Sequence, residues 1–474
     1  MISTKFIKKN TGGIIGSGII VILLIMAIYS IFFIPIQYRT QWNDPIYWSN
    51  NPRDAAPNWI NLFLKPFDYQ LPEYKVFSEK DAILNSISKP YFKQENYTFT
   101  YNFNSDGFPD AIDIPFSVKL GTIPPVIDIY VKRPDGHAFK IYSNALESLT
   151  NMDGSKVNSL SKTYGDVSSK DNLISGRIYS SSQEVKNSLN DYANLFNFST
   201  SDISSVNMIF SKTTSNIPLK GTYKIIFSIY SFDNETVLKD FKIIVQGKVF
   251  GLLGTDEFRR DVFYGILIGT PVDLFIGIAV ALTSTFFGLF YGLIAGYKGR
   301  KTETFMLLII DIFLTLPSFI LLIIISLHFG RNLFFLIGLF ILFGWPGLAL
   351  LNRTFSIQIK NYQYVQASKL MGESDLKIVL RHIVPQLLPF TLANFSLAVP
   401  VAILGESALS FLGLGDPAFP TWGQMLQDAH TYSAETLGYW WWIISPGFMI
   451  SITSVAFILL GRFFEKYTKA DTSR

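Results

Sequence analysis

The chain has 474 residues, of which 49% are hydrophobic and only 16% are Asp, Glu, Lys or Arg. Soluble domains usually carry about 25% charged residues, so this composition and a mean hydropathy of +0.29 argue against an ordinary soluble protein and predict a membrane protein. The chain contains no cysteine, which excludes disulfides, thiolate chemistry and cysteine-ligated metals.

The first predicted element is a membrane span. Residues 12–34, "GGIIGSGIIVILLIMAIYSIFFI", carry no charge, and about 20 apolar residues are enough to cross the hydrocarbon core. Lys5, Lys8 and Lys9 precede this run. The run is too long for a signal peptide and no small-residue cleavage site follows it, so we predict an uncleaved first span.

A large polar segment, residues 45–250, follows the first span. Residues 45–90 are rich in proline and aromatic residues and predict irregular structure, whereas an alternating pattern begins near residue 91. We predict strands at "YTFTYNF" (97–103) and "VIDIYVKRP" (126–134), and a hairpin over 221–247 with "FDNET" as its turn. Short strands at regular spacing are typical of a β-sandwich, so we predict an inserted β-rich, sandwich-like domain from about residue 91.

Five more apolar runs follow, at roughly 262–297, 304–327, 333–352, 386–409 and 439–461, which gives six predicted spans. Lys and Arg lie in alternate connections: three precede the first span, three occupy 298–301, five occupy 353–381 and four follow residue 461. The opposite short loops hold only Arg331. The positive-inside rule therefore predicts that both termini are cytoplasmic and that residues 35–250 are extracytoplasmic.

The cytoplasmic connection before the fifth span is polar and cationic. Over 360–385 the sequence predicts a helix, a break at Gly372 where a positive φ costs little, and a second helix capped by Ser374 and begun by Asp375. Pro385 suits the first turn of the next span. The residues alone leave two interpretations open: a helix resting on anionic headgroups or a docking site for a cytoplasmic partner.

A family resemblance covers this connection. "YVQASKLMGESDLKIVLRHIVPQLLP" (364–389) resembles the EAA loop of ABC-importer permeases, in the form found in the second (C-type) subunit of the dipeptide/oligopeptide permease family. Five other segments resemble that family in the same order: "LGTDEFRRDVFYGILIG" (253–269), "LIAGYKG" (293–299), "DIFLTLP" (311–317), "GWPGLA" (344–349) and "GESALSFLGLGDPAFPTWGQML" (405–426). Arg259 stands where the family usually has glycine, and Gln366-Ala367-Ser368 stands where it usually has Glu-Ala-Ala.

The resemblance implies a type I ABC importer permease fold, an α-helical polytopic membrane protein with six transmembrane helices. It implies three groups of functional positions. The ATPase-coupling loop, within 355–385, comprises Gln366, Ala367, Ser368, Lys369, Gly372, Glu373, Asp375, Lys377, Arg381 and Pro385. The outer element before the second helix comprises Gly254, Thr255, Asp256, Arg260 and Asp261. Candidate pathway or gating residues are Asp311 and Glu406, because an intramembrane carboxylate is a functional candidate. For Asp311 a carboxylate buried and bonded within the bundle is the alternative; for Glu406 it is structural pairing.

The resemblance also implies the partners. We expect a second (B-type) permease subunit, two ABC ATPase subunits and an extracytoplasmic substrate-binding protein. The chain has no G-x-x-x-x-G-K-[ST] phosphate loop, so we expect no catalytic residue and no cofactor on it, with ATP and Mg on the ATPase subunits. Its four histidines show no metal-ligand spacing, and we expect no bound metal and no nucleic acid.

The predicted organisation has three parts: a cytoplasmic tail and first helix (1–44), the extracytoplasmic insertion (45–250) and the permease core (251–474). The expected cargo is di- or oligopeptides, with oligosaccharides or nickel as alternatives. A self-sufficient secondary transporter predicts repeats and several intramembrane charges, which the sequence lacks. A membrane-anchored receptor that uses the β-rich domain would leave six spans and the coupling loop without a role. Tethering to membrane segments at both ends favours a role for the insertion in docking the binding protein or covering the outer mouth of the pore.

Overall fold

A computed structural model describes residues 11–146, 167–168, 173–195, 204–212 and 215–472. It divides into two compact units: a helical unit (1–44 with 262–474) and an insertion unit, Pro45–Asp261. The sequence placed 251–261 with the permease core, whereas their contacts place them with the insertion. The expectations for Lys5, Lys8 and Lys9 fall outside the described residues.

The helical unit begins with α1 and a short α2 and continues from residue 262 to the end of the described chain. A π-helical turn, Val379–Ile383, stands between α12 and α13. The helices outside the insertion are α1 (Thr11–Phe33), α2 (Gln37–Thr40), α6 (Val262–Lys298), α7 (Arg300–Thr315), α8 (Ser318–Phe329), α9 (Leu333–Gly344), α10 (Pro346–Lys360), α11 (Gln363–Leu370), α12 (Asp375–Ile378), α13 (Val384–Phe411), α14 (Trp422–Thr431), α15 (Ala434–Leu437) and α16 (Trp440–Thr472).

Five helical segments of the described chain are long and apolar enough to cross a membrane. In this count α9 with α10, and α12 with α13, each form one continuous segment. A sixth span results only if α7 and α8 are counted together. These two helices are bent by 73° at their junction. The bend has a local cause. Pro317 disfavours helical geometry in the residue before it, and Leu316 is accordingly extended, with φ −71° and ψ 134°. The sequence predicted one continuous span over 304–327, whereas the structure shows two helices with a sharp bend, the geometry of either a broken span or a re-entrant loop.

Glycines on α6 set the position of α10. Gly288, Gly292 and Gly296 recur every four residues and therefore share one face of the helix. A Cβ on Gly292 would lie 2.1 Å from the Ala349 carbonyl oxygen, and one on Gly296 would lie 2.7 Å from the Arg353 carbonyl oxygen. Small residues at this spacing allow two membrane helices to approach closely, and the approach holds α10 where it leads into the predicted coupling loop.

The insertion unit contains two five-stranded antiparallel sheets, in the orders β1-β12-β4-β8-β7 and β2-β3-β11-β5-β6, and a small β9-β10 pair. The strands are β1 (Lys75–Ser78), β2 (Ile83–Lys89), β3 (Phe92–Phe103), β4 (Ala111–Lys119), β5 (Val126–Lys132), β6 (Ala138–Ala145), β7 (Val167–Ser168), β8 (Leu173–Tyr179), β9 (Ser211–Lys212), β10 (Ser215–Pro218), β11 (Gly221–Ser231) and β12 (Val237–Gln246). Its helices are α3 (Ile60–Leu64), α4 (Gln183–Leu195) and α5 (Ser205–Phe210).

The two sheets share one core, which confirms the predicted β-rich domain. Alternate residues of β3, Phe99 and Phe103 among them, are buried with alternate residues of β4, as the period-2 geometry of a strand requires. Phe227 of one sheet stacks on Phe241 of the other, with ring centroids 4.7 Å apart. The β-structure begins earlier than predicted, since β1 and β2 precede residue 90.

The hairpin predicted over 221–247 is wrong. Both strands exist, but β11 pairs with β3 and β5, whereas β12 pairs with β1 and β4. The intervening residues 232–236 carry the chain from one sheet to the other. The Asp233 carboxylate stabilises this crossing by accepting the backbone N–H of Thr236 at 2.8 Å and that of Ile123 at 2.9 Å. Both strands alternate because they face the same core from opposite sides.

Candidate functional site

The predicted coupling loop is a helix, a glycine turn and a second helix, followed by the π-helical turn into α13. Gly372 joins the helices with a φ of +85°, and a Cβ there would meet nothing within 4 Å. Glycine is therefore needed for its backbone conformation and not for space. Ser374 occupies the N-cap position of α12, but its side chain makes no capping hydrogen bond, so the predicted cap is absent.

One face of the loop is anchored to the end of α6. Val365, Ile378 and Ile383 are buried in a cluster with Leu293 and Tyr297. The Tyr297 hydroxyl donates to Asp375 Oδ1 at 2.6 Å. The Lys360 ammonium in turn donates to the Tyr297 carbonyl oxygen. These contacts make the loop one body with the cytoplasmic end of the predicted second span.

A polar network connects the two short helices. Glu373 Oε2 lies 3.0 Å from His382 Nε2 and Glu373 Oε1 lies 3.5 Å from the Lys377 ammonium. The Ser368 hydroxyl is 3.4 Å from the same histidine nitrogen. Although desolvation opposes ionisation, the bonds from His382 and Lys377 hold the pKa of Glu373 below its usual value. The sequence named Glu373 only as one residue of the predicted coupling loop, whereas the structure places it at the centre of this network.

The opposite face of the loop presents apolar side chains to solvent. Leu370 is 90% exposed, Met371 80% and Leu376 71%; we call these three residues the loop tip. Lys369, Lys377 and Arg381 are also exposed. A contiguous exposed apolar patch bordered by charge is typical of an interaction site. The remaining predicted residues are also placed: Gln366, Ala367, Asp375 and Pro385 are exposed and Ser368 is buried.

Glu406 lies near the opposite end of the bundle, where it is 2% exposed. Its Oε1 accepts the Ser410 hydroxyl at 2.6 Å and the Thr421 hydroxyl at 2.9 Å. Asp273 of α6 is 1% exposed and accepts the backbone N–H of Trp422 at 3.0 Å. Adjacent residues at the start of α14 thus bind one carboxylate each. These bonds favour the pairing interpretation of Glu406 and fasten the segment 410–438, the outer loop, to α6 and α13.

Asp311 lies on α7 with its side chain exposed. Within this chain the carboxylate is therefore not buried, so the described residues do not support the alternative of an Asp311 bonded within the bundle. The Thr315 hydroxyl donates to its backbone carbonyl oxygen at 2.8 Å, not to the carboxylate. An exposed carboxylate within an apolar segment favours a polar environment that this chain alone does not provide.

The predicted outer element, 254–261, is held within the insertion unit by hydrogen bonds and an ion pair of buried side chains. Thr255 is fully buried; its hydroxyl donates to the Pro52 carbonyl oxygen at 2.8 Å and accepts the Ala55 N–H at 2.9 Å. Asp256 and Arg260 form a buried ion pair at 2.6 Å. Gly254 has a φ of +74°, and Asp261 is 8% exposed. The element joins the end of the insertion to its beginning.

Arg259 stands where the family usually has glycine, and its backbone conformation is one that glycine favours. Its φ is +66°, in the left-handed region that favours glycine. The family's usual glycine would adopt this conformation without strain. In this chain the arginine side chain compensates, because its guanidinium donates to the carbonyl oxygens of Ser49 at 3.2 Å and Asn51 at 3.0 Å.

Sequence reasoning missed the anchoring residues. Tyr297 was predicted only as the end of a span, and His382 entered only the search for metal ligands. Asp273, which is buried, was not predicted to have a partner. For Asp273 a signal was present, since a carboxylate inside an apolar run is a candidate for a specific partner. The partners of Tyr297 and His382 are brought close only by the tertiary fold.

Comparison with known proteins supports the family. Residues 288–473 match the model of the binding-protein-dependent transport system inner membrane component. The chain is 39% identical over 209 residues to the dipeptide transport system permease protein DppC of Bacillus subtilis, covering 44% of this chain and 65% of that protein. It is 33% identical over 249 residues to the oligopeptide transport system permease protein OppC of the same organism, covering 52% and 79%.

A third relative, the oligopeptide transport system permease protein OppC of Haemophilus influenzae, is 34% identical over 213 residues, covering 45% of this chain and 68% of that protein. Each of these matches leaves about half of this chain uncovered. All three relatives are dipeptide or oligopeptide transport system permease proteins. The chain therefore belongs to the dipeptide/oligopeptide family of ABC-transporter permeases.

Proposed function

We propose that this chain is the transmembrane permease subunit of an ATP-driven importer that moves di- or oligopeptides across the cytoplasmic membrane. The observation that supports this proposal is the structure of the coupling loop. It is a polar helix-turn-helix between membrane helices, and it exposes Leu370, Met371 and Leu376. The peptide cargo rests on the names of the relatives, which are dipeptide and oligopeptide permeases. Oligosaccharides or nickel are the alternative cargo for the same machinery.

The proposed mechanism has three kinds of partner. Two ABC ATPase subunits, which hold ATP and Mg, carry out hydrolysis, and one of them receives the loop tip in an apolar groove. A second, B-type permease subunit completes the pore. An extracytoplasmic binding protein delivers the substrate. When the ATPases close, the loop moves with the end of α6, because Tyr297 and Asp375 are bonded across that junction.

The proposed topology has six spans, both termini in the cytoplasm and residues 35–250 outside. The bent pair α7–α8 then counts as the third span. In this arrangement the exposed Asp311 faces either the second permease subunit or a water-filled pathway, which supports its assignment as a candidate pathway residue. Glu406 contributes to gating by fastening the outer loop.

The test is co-purification of the solubilised chain from its native membrane. The loop variant carries Lys369→Glu, Lys377→Glu and Arg381→Glu, all at exposed positions. A matched control carries Lys132→Glu and Lys224→Glu, which lie on paired strands of the insertion. We expect wild type and control to retain two ATPases and a second permease, and the loop variant to lose the ATPases. If the loop variant keeps its ATPases, or if wild type purifies alone, the coupling role is refuted and the receptor alternative is favoured.

Uptake of labelled di- and oligopeptides by cells that express the complete importer tests the cargo. Competition by unlabelled oligosaccharide or Ni²⁺, with no competition by peptide, would replace the peptide assignment by the corresponding alternative.

The insertion is proposed to contact the binding protein or to cover the outer mouth of the pore. A deletion of 75–246 tests this role, because Lys75 and Val245 are paired neighbours in the sheet and the cut ends can be joined by a short linker. Lower affinity for the binding protein is the expected result. Unchanged transport and affinity would refute both roles.

A further inference from the structure

A groove opens on the surface of the helical unit near the junction of α1, α6 and α9. Its volume is about 460 Å³. Its walls are largely apolar and come from three membrane helices and the outer loop: Ile31 of α1, Ile268, Pro271, Val272 and Phe275 of α6, Leu333 and Phe334 of α9, and Ala418, Phe419 and Pro420. Arg39 and Thr40 form its polar end.

Arg39 is a partly buried cation without a counter-charge in the described part of the chain. One guanidinium nitrogen donates to the Ser30 carbonyl oxygen and, at 3.3 Å, approaches the Ser30 hydroxyl. The Nε atom is buried and has no hydrogen-bond partner among the described residues. Desolvation lowers the pKa of this arginine. Its protein partners are neutral, so an anion at the mouth of the groove would be stabilised.

The rest of the groove lies between exposed apolar side chains of these helices. Ile31 is 49% exposed, Phe275 52% and Phe334 65%, and all three lie on helices long and apolar enough to cross a membrane. In a membrane these side chains contact acyl chains. The groove therefore places a cation at one end of an apolar channel that is open to lipid, a complement to an anionic headgroup joined to a hydrocarbon chain.

We propose that this groove binds one anionic phospholipid, with the headgroup phosphate at Arg39 and an acyl chain along Phe275 and Phe334. This site is independent of transport and of the ATPase partners, so it can be tested separately from the proposed function. It adds a lipid ligand that joins the end of α1, the start of α9 and the outer loop.

Native mass spectrometry of the full-length chain tests the proposal, with phosphatidylglycerol and phosphatidylcholine as probes. We expect wild type to bind phosphatidylglycerol preferentially and Arg39→Gln to lose about tenfold in affinity for it, since a charge-assisted hydrogen bond is removed. Arg331→Gln, which removes an exposed arginine in the predicted outer connection before α9, is the control and should keep wild-type affinity. Phe334→Ala should weaken binding of both lipids.

Three results would overturn the proposal. Arg39→Gln could keep the phosphatidylglycerol preference. Inorganic phosphate or glycerol phosphate could displace the lipid completely, which would identify a site for free phosphate. Finally, Arg39→Gln could reduce co-purification of the second permease subunit without changing lipid binding, which would identify the groove as a subunit interface.

Discussion

The coupling loop and the outer loop are both polar connections of the helical unit, but they treat their large side chains in opposite ways. The coupling loop exposes 90% of Leu370 and 80% of Met371, whereas the outer loop buries Trp422 completely and leaves Met425 only 2% exposed. The first buries Val365, Ile378 and Ile383 against α6 but leaves the loop tip exposed. The second is closed onto α6 and α13 by two carboxylates. The first connection therefore has apolar surface left for the proposed partner, whereas the second uses its large apolar side chains within the fold of the chain.

The largest effect on the free energy of unfolding should come from truncating Trp422, the buried side chain of the outer loop. Trp422→Ala leaves a cavity and should lower the free energy of unfolding by about 3–5 kcal/mol. Leu370→Ala in the loop tip should change it by no more than about 0.5 kcal/mol. Denaturant unfolding of the detergent-solubilised chain measures both values. Equal losses of unfolding free energy for the two variants would show that the loop tip is packed in solution. The coupling loop and the outer loop would then no longer differ in how they treat large side chains.

Backbone strain at Gly372 should separate folding from coupling. The Cβ of Gly372→Val meets no atom within 4 Å, but the residue must adopt a φ of +85°, at a local cost of about 1–3 kcal/mol. We expect the variant to fold and to lose at least half of the co-purified ATPase. The control is Gly347→Ala, whose Cβ is equally free of contacts and lies within α10. A variant at Gly372 that retains all of its ATPase would contradict the requirement for a rigid glycine turn.

Thr421 and Ser374 occupy the N-cap positions of α14 and α12, so their capping contributions can be compared directly. The Thr421 hydroxyl accepts the Gln424 N–H at 3.2 Å and donates to Glu406, so Thr421→Val should destabilise the chain by about 1–2 kcal/mol. Ser374 makes no capping bond, so Ser374→Ala should have almost no effect. Melting temperatures of the two variants give the comparison. A larger loss for Ser374→Ala would mean that its side chain caps α12 after all.

The smallest effect concerns pH and the Glu373 network. The pKa of Glu373 is lowered in the folded loop, so its contribution is fully present above the unfolded value of about 4.3 and is lost as pH falls through the lower folded value. We expect the loop amides to exchange faster with deuterium as pH falls through this window, after correction for intrinsic rates. Glu373→Gln should abolish that dependence. An unchanged pH profile in the variant would assign it to another group.

The sequence predicted the features that depend on local pattern. The apolar runs located every long membrane helix, and the alternation at 97–103 and 126–134 located β3 and β5. The glycine break between two polar helical stretches predicted the positive φ at Gly372. These features were predictable because period, length and glycine preference act over a few residues.

Features that depend on distant partners were not predictable in this way. The strands β11 and β12 look like a hairpin because they are adjacent and both alternate, yet their partners are β3, β5, β1 and β4. For Asp311 the sequence left a pathway role and burial within the bundle as alternatives, because it does not say which face of α7 points outward. The Tyr297–Asp375 bond joins residues 78 positions apart, and no local pattern reports such a contact.

The π-helical turn at Val379–Ile383 has a mechanical consequence. A π turn closes its hydrogen bonds over five residues instead of four, so this segment contains one residue more than an α-helical path of the same pitch. If the extra residue moved along the chain, everything before it would rotate by about 100° and shift by about 1.5 Å relative to α13. A shift of this turn along the chain would therefore move the predicted coupling loop relative to α13 in one discrete step.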